Sequence, residues 1–273
     1  MIITDRKTEL RRGIVTHGLF IFFCLIVVIP ILYMISISFT SERAIVTEGY
    51  RLIPREFSTL AYEFIFRRPQ QLLSAYRVTI MVTVIGTFLN TLITSMIAFA
   101  LSRKDFRLRR FISFFIFFTL LFRGGLVPWY ILITRYLGLK DTLAVLIIPY
   151  LANPWYVLLM RSFLQSIPTE MYDSAKMDGA SEFRIYLQIV VPLAKPALAT
   201  IGLFYALLYW NDWWLGLLFI EAQDLVSIQL LLHRIMTSID VLMRNLRVIT
   251  AMNVDLTELP SESGRMAIAV LAT

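Results

Sequence analysis

The chain has 273 residues, of which 58% are hydrophobic, 14% aromatic and only 16% charged, and its formal net charge is +7. This composition is far more apolar than a soluble domain of that length requires, so it indicates an integral membrane protein. The charges are scattered between apolar segments and form no single basic stripe, which argues against nucleic-acid binding. One cysteine excludes an internal disulfide, and two histidines far apart in the sequence predict no metal site.

Five apolar segments are each long enough to cross a bilayer as a helix, which takes about 20 residues. In chain order they are residues 16–39, 78–101, 111–133, 143–164 and 193–220. A sixth apolar run, 266–273, has only eight residues, so we expect a peripheral helix or a span that is cut short. The predicted fold is therefore an all-α membrane protein with one transmembrane domain over residues 1–273.

Basic residues between the segments predict the orientation in the membrane. The short segment SRKDFRLRR, residues 102–110, carries five Lys or Arg, and short loops follow the positive-inside rule best. It therefore predicts a cytoplasmic amino terminus. Residues 40–77 and 221–263 then form external loops, and the second contains an amphipathic run, 226–249, that is too charged to span the membrane.

A charged stretch, MYDSAKMDGASEFRIYLQIVVPL, lies between two apolar segments at residues 171–193. Pro168 suits the first turn of a helix, which we predict to run to about Met177. Gly179 can take the left-handed conformation that ends a helix, and Ser181 can cap the next one. That second helix is predicted to end at Pro192 and to carry one apolar stripe, formed by Phe183, Tyr186, Leu187 and Val190.

The predicted hairpin has two interpretations. Its small residues Ser174 and Ala175 would let another protein approach the backbone closely, which favours a docking element. Alternatively, the segment merely connects two spans, although such connections are usually shorter. Spacing alone leaves both open.

The same residues carry a family resemblance. The hairpin resembles the EAA loop of binding-protein-dependent ABC importers through Pro168, Glu170, Asp173-Ser174-Ala175, Asp178-Gly179-Ala180, Ile189 and Pro192. It departs from that pattern at Asp173-Ser174, where the family often has Glu-Ala. Segments such as NPWYVLLMRSFLQSIP and PSESGRMAIAVLA are similar to permeases of the maltose-permease type, especially those for oligosaccharides such as alginate or aldouronate fragments.

This resemblance implies six helices, the sixth cut short here, and a bacterial inner-membrane subunit that is not itself an enzyme. It implies a second homologous permease, two ATPase subunits that bind ATP and Mg²⁺, and an extracytoplasmic binding protein that delivers a carbohydrate. The sequence agrees in having no GxxxxGK[ST] phosphate loop. The cytoplasmic loop 165–192 would then couple to the ATPase, through Glu170, Asp173, Ser174, Ala175, Asp178, Gly179 and Ala180.

Polar residues inside the spans are candidates for the sugar pathway, because such residues usually face a cavity or another helix. With aromatic residues that could stack on sugar rings, they are Asn90, Thr94, Arg123, Asn153, Tyr209, Trp210, Asn211, Asp212 and Trp213. The aromatic residues could equally belong to an interfacial belt. Arg123 could meet a substrate carboxylate, which would favour an acidic oligosaccharide, or it could pair with Asp212.

A secondary, ion-coupled transporter is the alternative function, since it would also be apolar and cross the membrane several times. We find no inverted repeat in these spans, and such folds usually need more helices. Transport without ATP, driven by an ion gradient alone, would favour that alternative.

Overall fold

Helices form most of the chain in the computed structural model, which describes residues 6–66, 69–122, 124–249 and 262–272. They divide into a terminal unit, from residues 1–69 and 232–273, and a central unit, Gln70–Leu231. The helices that begin in the terminal unit's first segment are α1 (Arg6–Ser38), α2 (Glu42–Glu48), α3 (Leu60–Phe66) and α4 (Pro69–Ser102). In the central unit they are α5 (Arg109–Leu121), α6 (Leu126–Ile131), α7 (Pro154–Leu164), α8 (Thr169–Met177), α9 (Glu182–Ile185), α10 (Val191–Leu193), α11 (Lys195–Trp210) and α12 (Trp214–Phe219). The last two are α13 (Ile228–Ile249) and α14 (Glu262–Ala272).

Two described helices, α1 and α4, are long and apolar enough to cross a membrane without interruption. Three bent pairs of helices meet the same test, so the described residues contain up to five spans if each pair counts as one. The part of α1 that could cross the membrane, Val15–Ser38, is apolar, and only 11% of its most apolar window is buried within the chain. Its remaining surface therefore suits lipid or another subunit.

Three of the predicted spans are not single straight helices. Residues 111–133 form α5 and α6, and Gly125, with φ 85°, stands immediately before α6. Residues 143–164 form two short 3₁₀ helices and then α7, with a 51° bend between them. Residues 193–220 form α11 and α12, which are separated at residues 211–213, and the helix before α11 bends by 83° at Ala194. Proline lacks the N–H that would continue the helical ladder, and Pro154, Pro192 and Pro196 lie at the second and third of these breaks. Apolar length counts residues only, so it does not detect such breaks.

The terminal unit places α14 against α1, α2 and α3. The carboxylate of Glu42, on α2, accepts hydrogen bonds from the backbone N–H groups of Glu262 and Ser263 at 3.0–3.1 Å. It also accepts one from the Ser263 hydroxyl at 3.0 Å, and Glu42 is only 7% exposed. Glu42 thus satisfies the first free N–H groups of α14 from a different helix.

The core of the central unit is formed by α4, α7 and α11 together with the 3₁₀ segments. α7 packs against both α5 and α11. The largest side chains with less than 2% exposure here include Leu101, Val145, Met160, Leu164, Ile185, Tyr205, Leu215 and Phe219. This core holds the charged hairpin predicted from the sequence at one end of α4, as the contacts below show.

Candidate functional site

The first arm of the hairpin is α8, which begins at Thr169, directly after Pro168, and ends at Met177. The sequence prediction of a helix from Pro168 to Met177 is thus confirmed to within one residue. Glu170 lies exposed in its first turn, where the positive end of the helix favours a carboxylate. A negatively charged face is therefore available at the start of the arm.

The end of α8 is a two-bond glycine turn. Gly179 has φ 74° and its N–H donates to the carbonyl of Lys176 at 3.0 Å. The N–H of Ala180 donates to the carbonyl of Ala175, also at 3.0 Å. This pattern is the Schellman motif, and it needs a residue that tolerates the left-handed region. The prediction that Gly179 ends the first helix in the left-handed conformation is confirmed.

The second arm begins as predicted but presents a different face. The Ser181 hydroxyl accepts a hydrogen bond from the backbone N–H of Arg184 at 3.3 Å, so Ser181 caps α9. The predicted apolar stripe is wrong in part, since Phe183 is 61% and Leu187 47% exposed, whereas Ile185 is buried. A π-helical turn, Tyr186–Val190, follows α9 and shifts the helical register by a residue.

Most of the predicted coupling residues lie on the surface. Ala175 and Ala180 are half-buried, and the others are exposed, namely Glu170, Asp173, Ser174, Asp178 and Gly179. The sequence reading missed Met177, which at 88% is more exposed than any other large hydrophobic side chain described. This face therefore carries an exposed, flexible apolar side chain beside its carboxylates.

An ion-pair cluster of Arg103, Asp105, Lys176 and Glu182 joins the hairpin to the segment that follows α4. Lys176 Nζ lies 2.6 Å from Asp105 Oδ2 and 2.8 Å from Glu182 Oε1. Arg103 Nη2 lies 3.2 Å from the same Asp105 oxygen. Lys176 therefore bridges three parts of the chain: α8, α9 and the segment between α4 and α5.

The ion-pair cluster changes the pKa values of two of its members, Asp105 and Lys176. The hydrogen bond from Lys176, with a further one from Arg103, lowers the pKa of Asp105 to about 2, although partial burial opposes this change. The hydrogen bonds to Asp105 and Glu182 raise the pKa of Lys176. Both groups are therefore charged at neutral pH, and the pairs persist there.

Aromatic contacts anchor the hairpin on α4 beneath the ion-pair cluster. The Tyr172 ring, 3% exposed, lies 6.2 Å from the ring of Phe99, and the Arg103 guanidinium lies 4.6 Å from the Tyr172 centroid. The Tyr186 ring lies 5.7 Å from Phe99, and its hydroxyl is 2.6 Å from the Ser95 hydroxyl. Both arms thus rest on the same end of α4.

Four of the predicted pathway residues meet in a buried hydrogen-bond network. Asn90 Nδ2 donates to the Tyr209 hydroxyl, which in turn donates to the carbonyl of Ile147. Thr94 and Tyr205 share a hydrogen bond of 2.8 Å, and the N–H of Asn153 donates to the Tyr205 hydroxyl at 3.2 Å. Asn90, Thr94 and Tyr209 are at most 2% exposed.

This network supports the break between the 3₁₀ helices and α7. Ala152 has φ 55°, a strained value for alanine, and its N–H donates to Asn90 Oδ1 at 3.0 Å. Asn153 caps α7 by accepting from the N–H of Trp155 at 3.0 Å. Backbone groups at such a break need partners within a membrane, and α4 and α11 supply them. A role in the sugar pathway stays a prediction for these residues.

The remaining pathway candidates lie near the end of α11. Asp212 accepts a hydrogen bond from the Tyr150 hydroxyl at 2.7 Å, and Asn211 Nδ2 donates to the carbonyl of Leu207 at 2.8 Å. Trp213 is 39% exposed and Trp210 half-buried. Arg123 lies outside the described residues, so its predicted pairing with a substrate or with Asp212 stays a prediction.

Long apolar helices, bent spans and a charged hairpin define an all-helical membrane permease. The chain belongs to the family of binding-protein-dependent transport system inner membrane components, whose model matches residues 90–252. That range includes the whole hairpin and the buried network.

Individual relatives agree over nearly the full length. The chain is 35% identical over 263 residues to the polygalacturonan/rhamnogalacturonan transport system permease protein YtcP of Bacillus subtilis (strain 168), covering 94% of this chain and 88% of that protein. It is 34% identical over 251 residues to protein LplC of the same organism, covering 91% and 82%. Among solved structures, it is similar to a bacterial ABC transporter involved in the import of the acidic polysaccharide alginate, with a TM-score of 0.78, 30% identity and coverage of 100% and 94%.

Proposed function

We propose that the chain is one permease subunit of an ATP-driven, binding-protein-dependent sugar importer and that its hairpin, residues 168–193, binds a separate ATPase subunit. The complete transporter contains a second, homologous permease, two ATPase subunits that bind ATP and Mg²⁺, and an extracytoplasmic binding protein. The subunit lies in the bacterial inner membrane with its amino terminus and hairpin in the cytoplasm. It hydrolyses no ATP itself.

The observation that carries this proposal is the construction of the hairpin. Its outer face presents the carboxylates of Glu170 and Asp173 and the bare side chain of Met177 to solvent. Its inner face is fixed to α4 by Tyr172, Tyr186 and the ion-pair cluster. A loop that merely connected two spans would need neither face.

Such a hairpin transmits displacement. Closure of the ATPase dimer moves the bound α8, and the aromatic and ionic contacts carry that movement to the end of α4 and along the continuous second arm to the bend at Ala194. Tightly packed side chains do not deform gradually, so we expect the hairpin and the end of α4 to move as one unit. The spans then change from inward-open to outward-open.

We also propose that the substrate is an acidic oligosaccharide. Two proteins similar to this chain are named for polygalacturonan/rhamnogalacturonan transport and for alginate import. Polygalacturonan and alginate both carry a carboxylate on each sugar unit. Uptake of oligogalacturonate or oligoalginate that exceeds uptake of a neutral malto-oligosaccharide of equal length would support this part, and a preference for the neutral sugar would contradict it.

The hairpin proposal is tested by purifying the transporter through this subunit. Met177→Glu places a charge in the proposed interface, so we expect loss of the co-purifying ATPase and of ATP-dependent uptake in liposomes. Ile53→Glu is the matched control, because Ile53 is 78% exposed and lies in the segment between α2 and α3. Normal ATPase retention in Met177→Glu, or uptake driven by an ion gradient without ATP, would contradict the proposal.

A further inference from the structure

A basic cleft of about 410 Å³ lies beside the ion-pair cluster in the central unit. Its walls come from the segment between α4 and α5, from the residues that follow α7, and from α8. Three cations line it, together with two carboxylates and one buried aromatic ring: Arg103, Lys104, Arg109, Asp105, Asp173 and Tyr172.

Charges in the basic cleft do not balance internally. Arg103 and Asp105 already pair with each other and with the rest of the ion-pair cluster. Among the described residues, Lys104 and Arg109 have no carboxylate within 4 Å. Asp173, which also lines the cleft, forms no ion pair with either of them. Two cations therefore face the cleft with a single unpaired carboxylate, and Arg107 and Arg110 add positive charge close by.

Two buried polar groups, one on a wall of the cleft and one on Arg161 next to the wall residue Arg109, have no hydrogen-bond partner among the described residues. The Tyr172 hydroxyl, on a wall residue that is 3% exposed, has no partner among the described residues. Arg161, on α7, donates to the Ser113 hydroxyl at 3.1 Å, but its buried Nε has no acceptor there. The guanidinium of Arg109 repels that of Arg161. Buried donors are normally satisfied, so these groups can donate to an acceptor that binds beside them.

The cleft stands where three predicted spans leave the hydrocarbon layer. Residues 78–101 end beside Ser102 and Arg103, residues 111–133 begin just after Arg109, and residues 143–164 end at Leu164, which also lines the cleft. Where these spans cross the membrane as their apolar lengths predict, the cleft lies at the depth of the lipid headgroups. Lysine and arginine placed there attract anionic lipids, and basic pockets at helix ends bind their phosphates.

We propose that the basic cleft binds the headgroup of an anionic phospholipid, with Lys104 and Arg109 as the phosphate ligands. Arginine can hold two phosphate oxygens with its planar fork, and lysine adds a compact positive charge. A bound headgroup would hold the segment after α4 against the start of α8, next to the ion-pair cluster. The proposal depends on the cleft alone and not on the role of the hairpin.

The test uses the complete transporter, exchanged into mixed micelles with equal amounts of phosphatidylglycerol and phosphatidylcholine. Lipids retained after purification are counted by mass spectrometry. The variant Lys104→Gln/Arg109→Gln removes the two ligands, and Arg107→Gln/Arg110→Gln removes the same charge from the same segment outside the cleft. We expect the first variant to lose selectivity for phosphatidylglycerol by about tenfold, and the second to keep it.

Three results would overturn the proposal. Equal loss in both variants would show diffuse attraction in place of a site. Release of the bound phosphatidylglycerol by an excess of inorganic phosphate would show a site for free anions. Loss of the ATPase subunits from Lys104→Gln/Arg109→Gln with unchanged lipid selectivity would assign the cleft to that protein interface. Thermal unfolding of both variants shows whether each remains folded.

Discussion

Gly86 on α4 lies directly against the ring of Tyr209 on α11. A Cβ placed at residue 86 would be 2.5 Å from Tyr209 Cε2, which is far closer than carbon atoms approach. The Tyr209 ring is 2% exposed and its hydroxyl is bound to Asn90 and to the carbonyl of Ile147. The close helix approach therefore holds the buried network in place, as small residues do between membrane helices.

Gly86→Ala is expected to destabilise the subunit by about 1–3 kcal/mol, because the Tyr209 ring must move and give up its hydrogen bonds. Gly202→Ala is the matched control in α11. A Cβ there would lie 3.6 Å from Thr91 Oγ1, an ordinary contact, so we expect no loss of stability. Thermal unfolding of the detergent-purified transporter measures both changes. Equal unfolding midpoints for Gly86→Ala and Gly202→Ala would contradict the tight packing of Gly86 against Tyr209.

Gly179→Ala should weaken attachment of the ATPase through backbone strain alone. The left-handed conformation costs alanine about 1 kcal/mol, and nothing lies within 4 Å of a Cβ at this position. Gly179→Asn should be milder, since asparagine tolerates that region better. Co-purification of the ATPase with the subunit is the measurement.

Gly138→Ala serves as the control for that experiment. Gly138 has φ 61° and open space around its Cβ position, so the strain is similar but lies away from the hairpin. ATPase retention should remain normal in this variant. If Gly138→Ala and Gly179→Ala lost the ATPase equally, backbone strain anywhere in the subunit, and not strain in the hairpin turn, would explain the loss.

Asp105→Asn and Lys176→Gln should each reduce the amount of sugar transported per ATP hydrolysed, because either change opens the ion-pair cluster. Since both residues belong to the same cluster, the double variant should lose little more than the worse single variant. Exposed pairs contribute only about 0.2–1 kcal/mol, so folding should survive.

A control for the cluster comes from Lys140 and Glu221. Their charged atoms are also 2.6 Å apart, yet they lie outside the hairpin. Lys140→Gln and Glu221→Gln should leave the ratio of sugar to ATP unchanged. Additive losses at Asp105 and Lys176, or losses of the same size in the control pair, would contradict a transmitting role.

The pH dependence of the ion-pair cluster follows from Asp105. Its pKa in the folded protein, about 2, is lower than the ordinary value of 3.8 for an aspartate. A depressed carboxylate pKa adds stability that is fully present above the unfolded pKa and is lost as the pH falls through the folded one. We therefore expect the effect of Asp105→Asn to stay constant from about pH 5 to 8. The measurement is the ratio of sugar transported to ATP hydrolysed across that range. An effect of Asp105→Asn that changed near neutral pH would contradict the low pKa of Asp105.

Several features were predictable because they depend on local chemistry. Apolar length predicted which segments are apolar enough to span a membrane, but not the bends in three of them. The resemblance of residues 168–192 to a known motif predicted the family that the comparisons confirm. Gly179 and Ser181 predicted the two ends of the hairpin turn, since left-handed backbone and capping depend on one residue and its neighbours. The stripe on the second arm was wrong in part because tertiary packing buries Ile185 and Tyr186 but leaves Phe183 exposed, and a π-helical turn then changes the helical period from Tyr186 onward.

The amino-acid sequence by itself determined the all-helical membrane class, the position of the charged hairpin and the residues that begin and end its arms. Tertiary structure decided which distant groups meet: Asp105 with Lys176 across 71 residues, Asn90 with Tyr209 across 119, and Glu42 with the start of α14. Helix periodicity shows which residues share a face of one helix, but only tertiary packing decides which other helix lies against that face. For that reason the partners of the hairpin and of the buried polar residues required the folded chain.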